Sequence, residues 1–548
     1  MRASVRDDDL YEQTYQCSVQ MGVIDTLTGN LTYLVLLILL IAYIPLYFYV
    51  KTSPSMKEKG IVTYGPCIML KTRRGVRLLD RIAKYKRFWA VFGTISKIMA
   101  FFLMAMILLI LIMDLLLLPL MMETEGIGVE YALAIPGLNP MLPLVYGVIG
   151  LVVAVAVHEI AHGIQTRAND MKVESVGVLY AVVPIGAFVE PNEEEIQKCG
   201  RKGRSSMYAA GIAVNLTLAL VLFLVMSFGF MGTMSSDFGD RAAVVNVTAD
   251  SPAYDSGIGY SSVIWGVQAN PSDPNTLIPL SHDQLLKFSF VPGDEYTIQY
   301  ATKDNERNTA LMRMGVFIEA VADNSPAKDA NILAKSFLVS INGTSIDSMQ
   351  RFSDVMASLS PGQSVIVEYA KYDGTGVHPT VPETVVLGER NGKAFLGVNY
   401  TFSGFSFTTP DHVLAVTKNP LHGAESVSDA TTAALSYIGM PFRGYSPLPQ
   451  EVQWWYHSSI MGDQAFWITL QTLFWIFWLN LVLAVTNALP AVPFDGGFLF
   501  MDGVGSIVDR THKNATKERK EQIVNTVTRV TSYLMLFVLL LVMVAMMF

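Results

Sequence analysis

The run His158-Glu159-Ile160-Ala161-His162 sets two imidazoles four residues apart, with a carboxylate beside the first. On a helix, positions i and i+4 share a face, so both rings can bind one Zn²⁺. Glu159 is then placed to take a proton from a metal-bound water, whose pKa zinc lowers to about 7. Short patterns of this kind also arise by chance on soluble surfaces, so the surroundings decide. The residues before it read Leu151-Val152-Val153-Ala154-Val155-Ala156-Val157. An ionisable side chain at bilayer depth costs about 2.5–3.5 kcal/mol on insertion scales, and three in one apolar run point to a functional cavity.

A catalytic zinc takes three protein ligands and a water. Glu174, Glu190 and Glu193 to Glu195 follow the motif in sequence and are candidates for the third. Asp495 is another, in Asn487-Ala-Leu-Pro-Ala-Val-Pro-Phe-Asp495-Gly496-Gly497. Pro490 and Pro493 would stop a helix there, and the glycines would let the chain turn beside the carboxylate. Broken backbone at membrane depth is tolerated only where protein or a water-filled cavity shields it, as at a metal site.

The elements that must carry these residues are membrane spans. The chain has 548 residues, 51% hydrophobic and 16% charged, against about 25% charged in a soluble protein. Six stretches approach the 20 or so apolar residues that cross a bilayer: 31–50, 89–122, 141–164, 207–231, 465–489 and 530–548. Between Lys51 and Arg87 lie eleven Lys/Arg and two acids (Glu58 and Asp80), which marks that loop as cytoplasmic. Alternation then puts 167–206 and 490–529 inside as well, and each has its own basic cluster. The acidic N-terminus (Asp7, Asp8, Asp9) and 232–464 fall outside. His158 and Asp495 both come late in spans running inward, so they sit at similar depth near the cytoplasmic face. No cleavable signal peptide is expected, and Cys17, Cys67 and Cys199 are too scattered for a disulfide framework or a cysteine zinc site. The basic residues border apolar runs, which argues against nucleic-acid binding.

Together these residues resemble the site-2 protease family of intramembrane zinc metalloproteases. Its HExxH motif matches His158 to His162, and its Asn-x-x-Pro-x-x-x-x-Asp-Gly pattern matches Asn487, Pro490, Asp495 and Gly496. The resemblance implies zinc held by His158, His162 and Asp495, with Glu159 as general base and Asn487 contacting the substrate or the developing oxyanion. A Gly-x-x-x-Asn element in the next span reads Gly211-Ile-Ala-Val-Asn215, without the proline that often follows the glycine, and implies a catalytic role for Asn215. The family's short membrane-associated sheet matches the β-branched stretch 176–189, whose edge could accept an unwound substrate.

The outer region resembles PDZ domains. Asp323-Asn324-Ser325-Pro326-Ala327, then Ser340-Ile341-Asn342-Gly343 and a helical stretch over 349–359, is one match. Ala249-Asp250-Ser251-Pro252-Ala253 begins another. The expected organisation is 1–141, N-terminal spans and basic loop; 142–231, first half of a protease core; 232–400, one or two PDZ-like copies; 401–464, an external linker; and 465–548, second half of the core. The fold class expected is a polytopic α-helical membrane protein of about six spans with an inserted β-rich extracytoplasmic region. The expected activity is zinc-dependent cleavage of membrane-anchored proteins in or near the bilayer, in regulated proteolysis. The alternative is a non-catalytic membrane receptor or chaperone that binds peptides outside. Metal transport would need ionisable residues along several spans, and apart from Lys97 and Asp114 the other spans have almost none. Trp454 and Trp455 are expected to anchor the fifth span at the membrane interface.

Overall fold

Apolar runs of sufficient length become helices because a helix satisfies its own backbone polar groups in lipid. In the computed structural model, which describes residues 31–121, 136–137, 139, 141–182, 184–268, 276–303, 307–443 and 446–547, five helices are long and apolar enough to span. Asp7 to Asp9 and Cys17 lie outside the described residues. The chain divides into two units. One holds the chain up to Met226, Pro441–Ser446 and Ile468 onward; the other holds Ser227–Met440 and Pro447–Trp467.

The first unit opens with helix α1 (Leu31–Thr52), the expected first span. A hairpin follows, β1 (Ile61–Tyr64) and β2 (Cys67–Thr72), then the amphipathic helix α2 (Arg74–Ala83). Helix α3 (Lys86–Met121) is one continuous element. Helix α4 (Leu144–Ala168) starts at Pro143, where a helix loses nothing by the missing N–H. It ends at Asn169, with Asp170 in the left-handed region (φ 63°). Strands β3 (Val173–Tyr180) and β4 (Pro184–Pro191) follow, then helix α5 (Arg201–Leu224).

The expected sheet over 176–189 therefore exists, and it is larger than expected. Its order is β1-β2-β3-β4, all antiparallel, with Leu70 opposite Val178 and Val176 opposite Val189. The β1–β2 hairpin lies in the segment whose positive charge marked it as a loop. Charge density hid the alternation of Ile61, Thr63, Ile68 and Leu70. Lys71 binds both oxygens of Glu190 across the sheet at 2.8 Å.

In the second unit the strands are β5 (Ala243–Val247), β6 (Val263–Gln268), β7 (Leu277–Pro279), β8 (Glu295–Ala301) and β9 (Arg307–Arg313), then β10 (Val316–Val321), β11 (Ser336–Ile341), β12 (Thr344–Ser345), β13 (Ser364–Lys371), β14 (Val381–Val386), β15 (Val398–Phe402) and β16 (Phe405–Thr408). Helix α6 (His282–Lys287) precedes β8, and helix α7 (Met349–Ser358) precedes β13. The sheet order β9-β8-β6-β5-β16-β15-β10-β11-β13-β14 is a palindrome of connection, with β7 on β6 and β12 on β11. Each half follows the same course of strand, short Ser-Pro-Ala helix, strand, small strand, helix and two strands. Equivalent backbone bonds close each half: Ala253 N–H to the Ser403 carbonyl (3.0 Å) and Ala327 N–H to that of Leu396 (2.9 Å). The region thus contains two copies of one motif, the second inserted before the last strand of the first. The halves meet at Phe402 and Phe405, stacked edge to face at 5.3 Å in one continuous core.

Two expectations change here. The boundary at residue 400 cuts through β15, and 405–408 is not linker but the closing strand of the first copy, paired with β5. Trp455 is 1% exposed and its indole N–H donates to the Ser261 carbonyl at 2.9 Å, so it is a core residue rather than an interface anchor. Position in sequence before a span suggested a membrane belt; burial of a large aromatic surface decided otherwise.

Helix α8 (Asp463–Asn487) leads back into the first unit at Ile468, which closes with a turn at 488–494, helix α9 (Asp495–Thr511) and helix α10 (Lys517–Met547).

Candidate metal centre

Helix α4 presents His158 and His162 on one face, as the i, i+4 spacing requires. After α8 the backbone turns sharply enough that a Cβ on Gly496 or Gly497 would lie within 2.6 Å of the carbonyl groups of Ala488 and Ala491. Only glycine fits there, and the return of the chain makes Asp495 the first residue of α9. Three donor atoms converge. His158 Nε2 lies 3.0 Å from His162 Nε2, and Asp495 Oδ2 lies 3.0 Å from the first and 3.1 Å from the second.

These residues suit one metal ion. Four-coordinate zinc with bonds of about 2.0–2.1 Å needs ligand atoms about 3.3 Å apart, close to the separations found. The Nδ1 atom of His162 lies 2.8 Å from the Met207 carbonyl, which can only accept, so Nδ1 carries the proton and Nε2 offers its lone pair to the centre. His158 is 6% exposed. Space is kept by Gly211 on α5, where a Cβ would sit 2.6 Å from both His158 Cε1 and His162 Nε2. Among the described residues His158, His162 and Asp495 form the one group of three or more such side chains able to hold a metal.

The other candidates are placed elsewhere. Glu174 accepts from Asn192, Glu190 is engaged by Lys71 and Ser175, and Glu195 accepts from the backbone of Lys172. Glu159, next to His158, accepts from the Val189 backbone N–H at 3.1 Å, which ties the carboxylate to strand β4. Asn487 is half-buried and its amide donates to the Leu483 carbonyl one turn back. Asn215 is fully buried and donates to the Ala154 carbonyl at 3.1 Å, bridging α5 to α4 one turn before His158. Its Oδ1 has no hydrogen-bond partner. The contacts of both asparagines are to helix backbone rather than to the three converging ligands.

A second polar layer supports α9. Asp502 is 3% exposed and accepts from the Arg204 guanidinium through both oxygens and from Ser205 Oγ at 3.0 Å. Tyr208, one turn after Arg204, stacks on Phe498 at 4.9 Å, one turn after Asp495. From sequence, Arg204 counted only as an orientation charge. An acid inside the apolar run Phe498-Leu-Phe-Met-Asp502 was the available signal for a buried pair.

Comparison with known proteins adds three findings. The profile of peptidase family M50 matches residues 146–536. An uncharacterized protein of Methanocaldococcus jannaschii is 32% identical over 202 residues, covering 36% of this chain and 51% of that protein. The chain thus spans about half the length of this curated relative. A crystal structure of the PDZ domain of an SdrC-like protein from Listeria monocytogenes is similar at 25% identity, over 16% of this chain and 87% of that one, with a TM-score of 0.14.

Proposed function

The chain belongs to peptidase family M50, the site-2 protease family of intramembrane metalloproteases, and on that premise we propose that it cuts membrane-anchored proteins within or beside the bilayer, in regulated proteolysis. His158, His162 and Asp495 would hold a zinc ion, and the observation that carries this reading is the convergence of their donor atoms within 3.1 Å. Zinc bound there would polarise the scissile carbonyl and acidify water near pH 7. Glu159 would hold the proton a water gives up as its oxygen bonds the scissile carbon, and release it to the amine as the C–N bond breaks. The His162–Met207 contact keeps the imidazole in the tautomer that leaves Nε2 free. Strand β4, bonded to Glu159 through Val189, is the natural edge for an extended substrate segment, because it pairs with β3 on one side only. Asn487 and Asn215 act at the same centre, Asn487 toward the substrate and Asn215 through the α4 backbone it bonds.

In this reading the protein is a multi-pass cell-membrane protein with Leu31–Thr52 as a sixth span, and the loop charge pattern supports a metal centre near the cytoplasmic face and residues 243–408 outside. The repeated Ser-Pro-Ala helices and palindromic sheet favour two PDZ-like copies there.

Glu159→Gln is the test. Purified variant should keep about one zinc per chain while cleavage of a membrane-anchored reporter falls by about 10²–10⁴-fold. Normal cleavage by the variant would sink the mechanism, and wild-type protein that binds no zinc would favour a non-catalytic receptor.

A further inference from the structure

Between α3, the end of α4 and the first turns of α5 lies a cavity of about 630 Å³ whose lining includes Val91, Thr94, Ile95, Gln165, Lys202 and Ser206. None of the metal ligands lines it, and the proposed peptidase chemistry makes no use of it. Three features define what it takes. Gln165 is 1% exposed; its amide nitrogen donates to the Trp89 carbonyl at 3.1 Å, which identifies the other atom as the oxygen, and that Oε1 is buried without a hydrogen-bond partner. A buried acceptor left unpaired destabilises the fold, so a donor is expected to reach it.

Two lysines meet here: Lys202 lines the cavity, and Lys97 reaches the Lys202 backbone from α3. Lys97, half-buried in a spanning helix, donates to the carbonyl of Lys202 at 3.5 Å. Neither lysine has an acidic partner among the described residues. The acids nearby are engaged, Asp170 by Lys86 and Asp509 by Arg201 and Lys520. Two like charges at the end of an apolar span without a counter-ion call for an anion. Beside them Val91 and Ile95 are 61% and 49% exposed on the outer face of α3, where lipid chains would lie.

We propose that this cavity binds the headgroup of an anionic phospholipid that carries a free hydroxyl. Its phosphodiester sits against Lys97 and Lys202, the headgroup hydroxyl donates to Gln165 Oε1, and an acyl chain runs along Val91 and Ile95. The charge is shared with free phosphate; the hydroxyl and the chain are not.

Native mass spectrometry of the full chain in detergent, with phosphatidylglycerol as probe, tests this. Phosphatidylglycerol should be retained about thirtyfold better than phosphatidylcholine, as two lysines at a membrane surface would give. Lys97→Gln with Lys202→Gln should abolish that preference while zinc content stays at wild-type level, which shows the bundle intact. Phosphatidylmethanol, with the same charge and no headgroup hydroxyl, should bind several-fold more weakly than phosphatidylglycerol in the wild type. Equal retention of phosphatidylglycerol and phosphatidylcholine, or a preference that survives the double substitution, would overturn the site. Complete displacement of phosphatidylglycerol by millimolar inorganic phosphate would overturn the lipid assignment in favour of a free anion. Should the double variant lose zinc, retention of phosphatidylglycerol over phosphatidylcholine by Lys202→Gln alone decides: an undiminished preference refutes the proposal.

Discussion

At the residue scale, Gly211 does as much for the centre as the ligands do, because its missing side chain is the space they share. In Gly211→Ala the new methyl would lie 2.6 Å from both imidazoles. Alanine is the better helix former by about 1 kcal/mol, so α5 itself should not suffer. The expected outcome is a folded, helical protein with at least about tenfold weaker zinc affinity, comparable to losing an outer-shell partner, and with reporter cleavage reduced to match. Zinc titration beside circular dichroism checks it; wild-type affinity would mean the imidazoles can move aside. Glu159, which is not a ligand, differs from the histidines in being bonded to strand β4 rather than to the converging donor atoms.

At the scale of elements, two ion pairs hold the pieces that carry the site. Arg204 and Asp502 tie α5 to α9, whose first residue is Asp495. Arg204→Met leaves a buried carboxylate without its partner, a loss of about 3–5 kcal/mol in comparable pairs. Thermal unfolding should show it, and adding Asp502→Leu should recover much of the loss, since removing both charges leaves no unpaired one. A double variant no more stable than the single would show that the arginine acts otherwise. Lys71 and Glu190 tie the β1–β2 hairpin to β4. The Lys71 ammonium and the Ser175 hydroxyl hold the Glu190 carboxyl below its ordinary value. A carboxylate depressed in the folded state contributes stability above its unfolded pKa, about 4.3, and loses it as pH falls through the lower folded value. Amide exchange in β2 should therefore be steady from neutral pH down to about 5, once corrected for intrinsic rates, and accelerate below about 4. Lys71→Met should flatten that profile; an unchanged profile would remove the pair as its cause.

At the scale of the molecule, the palindromic sheet is a body of its own. Ala243 on β5 lies opposite Thr408 on β16, so the ends of the segment are side by side, and its core draws on both copies. A fragment of residues 242–409 should fold as a soluble β protein with one cooperative unfolding transition, because the halves share Phe402 and Phe405 rather than a linker. Two separate transitions would show the copies to be independent domains. Residues 316–402 alone should fold less well, since excision exposes the apolar faces that meet the first copy.

The sequence by itself determined the chemistry and the solvent. HExxH inside an apolar run, with Asn487, Pro490 and Asp495 ending a later one, pointed to a metal-binding group, and His158, His162 and Asp495 do come together in the fold. Lipid punishes stray charge and broken backbone so heavily that few other readings survive. Helices were legible for the same reason; β3 and β4 were expected from β-branched composition and the family resemblance, and α7 from the PDZ resemblance. Tertiary structure decided what depends on approach between distant segments. It decided that Asp495 rather than Glu190 meets the histidines, which side of His162 is protonated, and that 61–72 joins a sheet. It also decided that Trp455 is core and that 405–408 closes a motif begun at 243. A carbonyl such as Met207's has no side-chain signature, and a strand at the end of one copy cannot be assigned until its partner, some 160 residues earlier, lies beside it.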